Sequence, residues 1–467
     1  MNISRRNFLF SSGAFALAAG CRSTAIFGKP ELVFGVVSDI HITTPNSCAL
    51  FESSLRYFRR RGVDAVMAPG DLTDWGLRSS LVLVKETWDK VFAGSEVVPL
   101  FATGNHDYDG WWYGDMTMEM HANGYSEDEA LSKLGLAENW EEILGEKFAP
   151  IRCRTVKGYD FISGEWGGNI GLGKWMEENG SRLSRTKPFF YFQHVPIQGT
   201  TSDSNYMTGD DKIRSVLNNY PNCVSFTGHK HRPFIDERSI WQGEFTAIST
   251  PSLSYSGTMS GYENGGGLRN GKATQTMPIV PYRRDLRGGQ GYLVNVWRDK
   301  IAIERIDLEE ETSDAPEWVI PLATGEKPFA PANREKEIPV PEFPVGAQCA
   351  LRTINTDNRI GKWTIAMECV FPSAKMPDGH RVFDYEIKAV PKDGSEPLVK
   401  HFISPAFAKL AKYEPLRQRF WFDVAELPQD REYVIEVRAR NCFGKSSRSI
   451  VSGVMRGKPG LGKAVRS

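Results

Sequence analysis

Five short clusters carry side chains able to bind metal and move protons: Asp39-Ile40-His41, Gly70-Asp71-Leu72-Thr73-Asp74, Gly104-Asn105-His106-Asp107, Gln193-His194 and Gly228-His229-Lys230-His231. They mix hard carboxylate and amide oxygens with imidazole nitrogens, a donor set suited to Zn, Mn or Fe rather than to the all-oxygen shells of Ca or Mg. Five of the eight histidines fall inside these clusters, a concentration that scattered structural histidines would not show. His121, His380 and His401 lie outside them and are read as structural.

Each cluster follows a run that reads as a strand: Leu32 to Ser38, Val63 to Ala68, Val97 to Ala102, Phe189 to Gln193, and Val224 to Thr227. Between the first two, Thr44-Pro45 starts a helix as cap and first helical position, and Gly62 ends it. Leu50, Phe51, Ser54, Leu55 and Phe58 recur between them at helical spacing. Alternating strands and helices predict a layered α/β core. In an open α/β sheet all five clusters would meet at the carboxyl edge, where such folds place their ligands. Gly70, Gly104 and Gly228 would let the chain turn sharply there.

These five blocks, in this order, resemble the calcineurin-like metallophosphoesterase family over roughly Glu31 to Leu308. The resemblance implies a layered α/β metallophosphoesterase sandwich and two metal ions. Asp39, His41, Asp71 and His231 would hold one ion; Asp71, Asn105, His194 and His229 would hold the other, with Asp71 bridging. Position 74 is Asp where the purple acid phosphatase branch has a metal-binding Tyr, which disfavours a charge-transfer ferric site.

Two ions about 3.5–4 Å apart lower the pKa of a bridging water and hold phosphoryl oxygens for in-line attack. The expected activity is therefore hydrolysis of a phosphomonoester or phosphodiester by a metal-bridged hydroxide, with two divalent or trivalent ions, Mn, Fe or Zn, as cofactors. His106 adjoins Asn105 without being needed as a ligand, and so is the candidate to protonate the departing alkoxide. Asp107 would hold its imidazole in the right tautomer. A rival reading is a non-catalytic surface module that binds glycan or protein.

The rest of the 467-residue chain frames that centre. Residues 1–28 read as an export signal: Ser4-Arg5-Arg6-Asn7-Phe8-Leu9 resembles a twin-arginine motif, and the apolar run Phe8 to Ala19 is 12 residues, short of the roughly 20 a spanning helix needs. Ala18-Ala19-Gly20-Cys21 resembles a lipoprotein box, so lipid attachment at Cys21 and plain cleavage nearby both fit a periplasmic or cell-surface protein. Lys plus Arg and Asp plus Glu are 57 each. That balance disfavours a nucleic-acid polymer as partner and leaves a small phosphorylated substrate.

The catalytic domain would span 29–315, with a lid insertion at about 108–150 whose Trp111 and Trp112 form a small core or stack on substrate. A glycine-rich stretch from Tyr262 reads as a mobile rim loop. Seven of the 27 prolines fall between Pro316 and Pro344, so 316–342 reads as a stiff linker without regular structure. Residues 343–455 resemble a fibronectin type III domain through Leu427-Pro428, Tyr433, Val437 and Ala439 to Gly444, with Trp363 and Ile365 in core positions. Cys369 and Cys442 are a conceivable disulfide pair, and 456–467 a flexible basic tail.

Overall fold

The computed structural model describes residues 28–108, 135–165, 171–201, 211–258, 268–269, 272–273, 283–313, 315–358, 362–408, 414–423, 426–427 and 431–456. The export segment with Cys21, the pair Trp111 and Trp112, most of the glycine-rich stretch and the tail from 457 lie outside the described residues.

Two six-stranded sheets form the N-terminal α/β part. The first runs Trp318–Pro321, Lys300–Asp307, Gln290–Val296, Leu32–Val36, Ala65–Pro69, Val98–Ala102. The last three strands are mutually parallel, and Gln290–Val296 joins them antiparallel. The second runs Ile151–Val156, Tyr159–Gly164, Phe189–Phe192, Cys223–Thr227, Thr246–Ser249, Ile240–Gln242, parallel through its four central strands.

Strand alternation sorts side chains between layers. Leu32, Phe34, Val36, Ala65 and Met67 point inward, against Phe161, Phe190, Val224 and Phe226 of the other sheet. Phe34 meets three of these rings edge-on, with centroids 5.3 Å from Phe161, 4.9 Å from Phe190 and 5.9 Å from Phe226. Val66, Ala68 and Phe101 point outward, under the helices Cys48–Arg61 and Arg78–Phe92. Leu172–Asn179 and Asp211–Leu217 cover the second sheet in the same way. The layered α/β sandwich expected from the sequence is thus two sheets face to face, with helices outside both.

The first helix begins at a capping box on Thr44, with Pro45 opening a short 3-10 turn, and ends at Gly62 with φ 68°. Of the expected lid, the part described here lines the core instead. The helical turns Leu136–Asn139 and Trp140–Leu144 bury Trp140 against the outer layer of the first sheet, beneath the Arg152 guanidinium 4.7 Å from its ring.

The proline-rich segment 316–342 is not a tether without regular structure: most of it packs on the α/β core. Trp318–Pro321 pairs antiparallel with Lys300–Asp307 as an edge strand, the place where a proline does not cost a ladder bond. Pro331 occupies the first turn of the helix Pro331–Glu337, where its missing N–H has no partner to lose. Trp318 and Phe329 reach the inner core between the sheets.

Beyond residue 342 two antiparallel sheets pack face to face. One holds Ala350–Asn358, Lys362–Pro372 and Arg417–Asp423; the other holds Leu398–Ile403, Asp384–Pro391, Glu432–Arg440 and Ile450–Val451. Met367, Cys369, Phe371 and Phe422 of the first meet Tyr385, Ile387, Tyr433, Ile435 and Val437 of the second, while Ile365 is only partly buried. Cys369 lies in this core, whereas Cys442 joins a separate apolar cluster with Ile235 and Phe383. Both thiols are free.

Because Trp318 is a core residue, Trp318→Ala should lower stability by about 3–5 kcal/mol, the range for deleting a large buried ring. A tether residue would move the chemical-denaturation midpoint by under about 0.5 kcal/mol equivalent, and that result would refute the core assignment.

Candidate metal centre

The five clusters meet where the carboxyl ends of both parallel strand sets share one edge. Asp39 and His41 follow Leu32–Val36, Asp71 follows Ala65–Pro69, and Asn105 and His106 follow Val98–Ala102, all in the first sheet. His194 follows Phe189–Phe192, and His229 and His231 follow Cys223–Thr227, in the second.

Within each sheet the turns are tied by backbone. Ile40 and His41 N–H groups both donate to the Asp71 carbonyl, at 2.8 and 3.1 Å, and Gly228 N–H donates to the His194 carbonyl at 2.8 Å. Across the sheets the ties are side chains. His194 Nε2 stands 3.0 Å from Asp71 Oδ2, and His231 Nε2 stands 2.9 Å from Asp39 Oδ1. The backbone N–H of His229 also donates to both Asp39 oxygens, at 3.0 and 3.1 Å.

The donor atoms form two overlapping groups. Those of Asp39, His41, Asp71 and His231 all lie within 4.8 Å of one another. From Asp71 a second chain runs through His194 to His229 Nδ1, 3.3 Å from His194 Nε2, and on to Asn105 Oδ1 at 2.9 Å. Asp71 belongs to both, with His41 Nε2 3.7 Å from the same Oδ2 that faces His194.

Three of the imidazoles are aimed by their other nitrogen. The Nδ1 of His194 lies 2.9 Å from the Pro69 carbonyl, that of His231 2.9 Å from the Tyr255 carbonyl, and that of His41 2.8 Å from Asp74 Oδ1. Such outer partners fix the ring and its tautomer, leaving Nε2 as the ligand atom. Burial and the neighbouring His194 push the His229 pKa down to about 3, so it is held neutral, the form that binds metal. Buried carboxylates, aimed imidazoles and a side-chain amide together fit a transition-metal site.

Backbone strain concentrates at this edge. Asp39, His41, Asp71, His229 and His231 all have φ between 49° and 72°, in the left-handed region that non-glycine residues seldom enter. Two glycines are forced by close approach. A Cβ on Gly104 would lie 2.0 Å from Asp71 Oδ1, and one on Gly228 would lie 2.1 Å from Ser38 Oγ.

His106 sits at the rim, its side chain 29% exposed and its ring 4.6 Å from that of His41. Its backbone N–H donates to Asp71 Oδ1 at 2.9 Å. Its Nδ1 faces Asp74 rather than Asp107, at 3.2 Å from both the carboxylate and the carbonyl of Asp74. Burial opposes the charge on this imidazole, but Asp74 and Asp71 outweigh it and raise its pKa to about 9.

The expectation that Asp107 holds the His106 ring is therefore corrected. Asp107 accepts hydrogen bonds from Gly104 N–H at 2.8 Å, Leu72 N–H at 3.2 Å, and Thr73 N–H and Oγ1 at 2.8 Å each. Consecutive residues of a helical turn point about 100° apart, so side chains at i and i+1 do not face each other. Asp107 instead pins the third turn to the second. Burial followed by the nearby Asp71 raises its pKa to about 6.

Sequence reasoning placed Asp74 in its cluster but gave it no role, and it missed Tyr255 altogether. Asp74 spans His41 and His106, a role that the spacing inside its cluster does not show. Tyr255 lays its ring 4.2 Å from His231 and 5.7 Å from His41. It lies on Tyr255–Thr258, beyond a sixth strand end that bears no His or Asp to mark it.

Residues 32–233 match the family model for calcineurin-like phosphoesterases. No curated protein matches the chain. Among solved structures, GAP50, the anchor in the inner membrane complex of Plasmodium, is 13% identical at a TM-score of 0.34, covering 65% of this chain and 93% of that one. Purple acid phosphatase PPD1 of yellow lupin is 13% identical at a TM-score of 0.37, covering 62% and 53% respectively. A protein of Streptococcus pneumoniae described as a predicted phosphoesterase is 11% identical at a TM-score of 0.26, covering 62% and 97%. Five donor-bearing turns thus gather on one edge of a chain whose residues 32–233 are similar to the calcineurin-like phosphoesterases.

Proposed function

We propose that the protein is an exported phosphoesterase that holds two transition-metal ions, Mn, Fe or Zn, and hydrolyses a small phosphomonoester or phosphodiester. Asp39, His41, Asp71 and His231 would hold one ion, and Asp71, Asn105, His194 and His229 the other. The observation that carries this reading is the pair of overlapping donor groups, with Asp71 common to both. When bound, the ions supply a water activated near neutral pH and Lewis-acid contacts to phosphoryl oxygens.

The chain's own residues do the rest. Asp71 offers Oδ2 to both donor groups while its Oδ1 accepts the His106 N–H, so its carboxylate is fixed in plane. His106 stands at the accessible rim, and its Nδ1 is held by Asp74. Its Nε2 is left to give a proton to the departing alkoxide. Asp74 would keep that ring charged and oriented, and it steers His41 in the same way. A net charge of zero leaves attraction for a phosphate to the centre itself rather than to a basic surface.

Elemental analysis together with hydrolysis of p-nitrophenyl phosphate and its bis ester tests the reading, and the ratio of the two rates separates monoesterase from diesterase. His106→Ala should retain both metals and lose on the order of 10²–10⁴ in kcat. Unchanged turnover at full metal content would remove His106 from the reaction. Asp71→Asn should lower metal occupancy, because it removes the shared charge; two fully occupied sites in that variant would rule out a bridging Asp71. For export, replacing Arg5 and Arg6 together with Lys should hold the precursor in the cytoplasm. Unaltered fractionation would exclude a twin-arginine route.

A further inference from the structure

The loop that carries His229 and His231 does not end at the metal centre. From His231 to Gln242 every residue is buried, although only Glu237–Ser239 and Ile240–Gln242 have regular structure. Four of these residues, Arg232, Asp236, Glu237 and Arg238, are charged. Burying ions costs several kcal/mol each unless their partners are well placed. The partners show what the stretch is fastened to.

One flank is the catalytic core. Gln290 Oε1 accepts Phe234 N–H at 2.7 Å, and Arg305 donates to the Phe234 carbonyl at 3.2 Å and to Glu237 Oε1 at 2.7 Å. Trp318 Nε1 donates to Glu237 Oε2 at 3.0 Å, and Arg334 reaches the same oxygen. Asp236 and Arg238 close a two-pronged pair, at 2.8 and 2.7 Å.

The other flank is one end of the C-terminal sandwich. The Arg381 guanidinium lies 5.7 Å from the Phe234 ring, and the Phe383 ring lies 4.8 Å from the Arg238 guanidinium. Phe383 stands edge-on to Phe407 at 4.8 Å, and the two close over Ile235 together with Cys442. His380 Nδ1 comes within 3.4 Å of Glu237 Oε1. Phe234, under Arg381, is three residues from His231.

From this we infer that the C-terminal β-sandwich is a positioning element of the metal centre: Arg381 and Phe383 clamp the loop 232–238 against the catalytic core and so hold His229 and His231 in place. The inference rests on the metal-centre reading for its functional consequence, while the clamp itself stands on contacts alone. His229 and His231 hold left-handed backbone, with φ 72° and 49°, that an unbraced loop would be free to relax. His194 has no such dependence, since the strand Phe189–Phe192 and the Pro69 carbonyl hold it from within the catalytic domain.

The test uses the full-length chain with Arg381→Ala, with Phe383→Ala, and with Trp421→Ala on the exposed outer face of the other sandwich sheet as baseline. Backbone amide exchange is followed across all five turns, and metal affinity is measured by chelator competition. Both clamp variants should raise exchange across 229–238 about tenfold and weaken metal binding by about tenfold, an effect of the size seen for partners outside the ligand shell. Exchange across 39–41 and 104–107 should stay as in wild type, as should every readout in Trp421→Ala. Folded clamp variants with wild-type exchange and wild-type affinity would overturn the inference, as would a rise spread evenly over all five turns. A wild-type protein that takes up no metal would instead defeat the metal-centre reading, and a rise confined to 229–238 would then still uphold the clamp.

Discussion

Two carboxylates, Asp39 and Asp71, sit almost wholly out of water, and each faces imidazoles that arrive from the other sheet. A lone buried carboxylate is costly enough that it would normally take up a proton. Here burial opposes ionisation, but His231, His194 and His41 outweigh it and hold Asp39 well below the usual carboxylate range. His194 in turn is carried up to about 9 against its own burial, chiefly by Asp71. Much of the local architecture follows from keeping these opposed groups in register across the junction of the sheets.

The register has to be set by parts that do not move. Phe34 meets Phe161, Phe190 and Phe226 edge-on and fixes one sheet against the other directly below the site. Aromatic contacts of this kind contribute about 0.5–1.5 kcal/mol each beyond the area they bury. Above that floor the strands end in turns too tight for ordinary backbone, so five of the candidate ligands adopt left-handed φ. Such conformations cost about 1–3 kcal/mol each and persist only where the surroundings over-determine them. The backbone ties between turns, the Asp107 staple and the buried loop 231–242 supply that surplus of constraint.

What was legible in the sequence is whatever local residue type dictates. The donor clusters, the strands before them and the helix from the Thr44 cap to Gly62 depend on patterns a few residues long, and all appear where those patterns put them. The direction of a side chain at a turn was not legible. Asp107 is the acid next to His106 in sequence, yet the short helix Asn105–Tyr108 turns it inward, and Asp74, 32 residues away, faces His106 instead. Proline density misled because its cost depends on position: Pro321 lies on an edge strand and Pro331 in a first helical turn, two places where the missing N–H does no harm. Contacts such as Arg381 on Phe234 join residues about 150 apart and leave no local mark.

The partners of the buried acids separate framework from site. Asp236, Glu237 and Asp384 are met first by guanidinium groups, from Arg238, from Arg305 with Arg334, and from Arg440, with His380 and His401 as further neighbours of Glu237 and Asp384 at 3.4 Å each. A guanidinium keeps its charge at every pH a protein meets, so these pairs are permanent and bidentate geometry makes them rigid. The buried Asp39 and Asp71, and the half-buried Asp74, are met by imidazoles instead. An imidazole can surrender its proton, which frees a lone pair for a metal while the carboxylate keeps its charge. The choice of histidine over arginine leaves these acids compensated yet exchangeable, and that difference in partner chemistry is what supports the proposed metal centre at this edge.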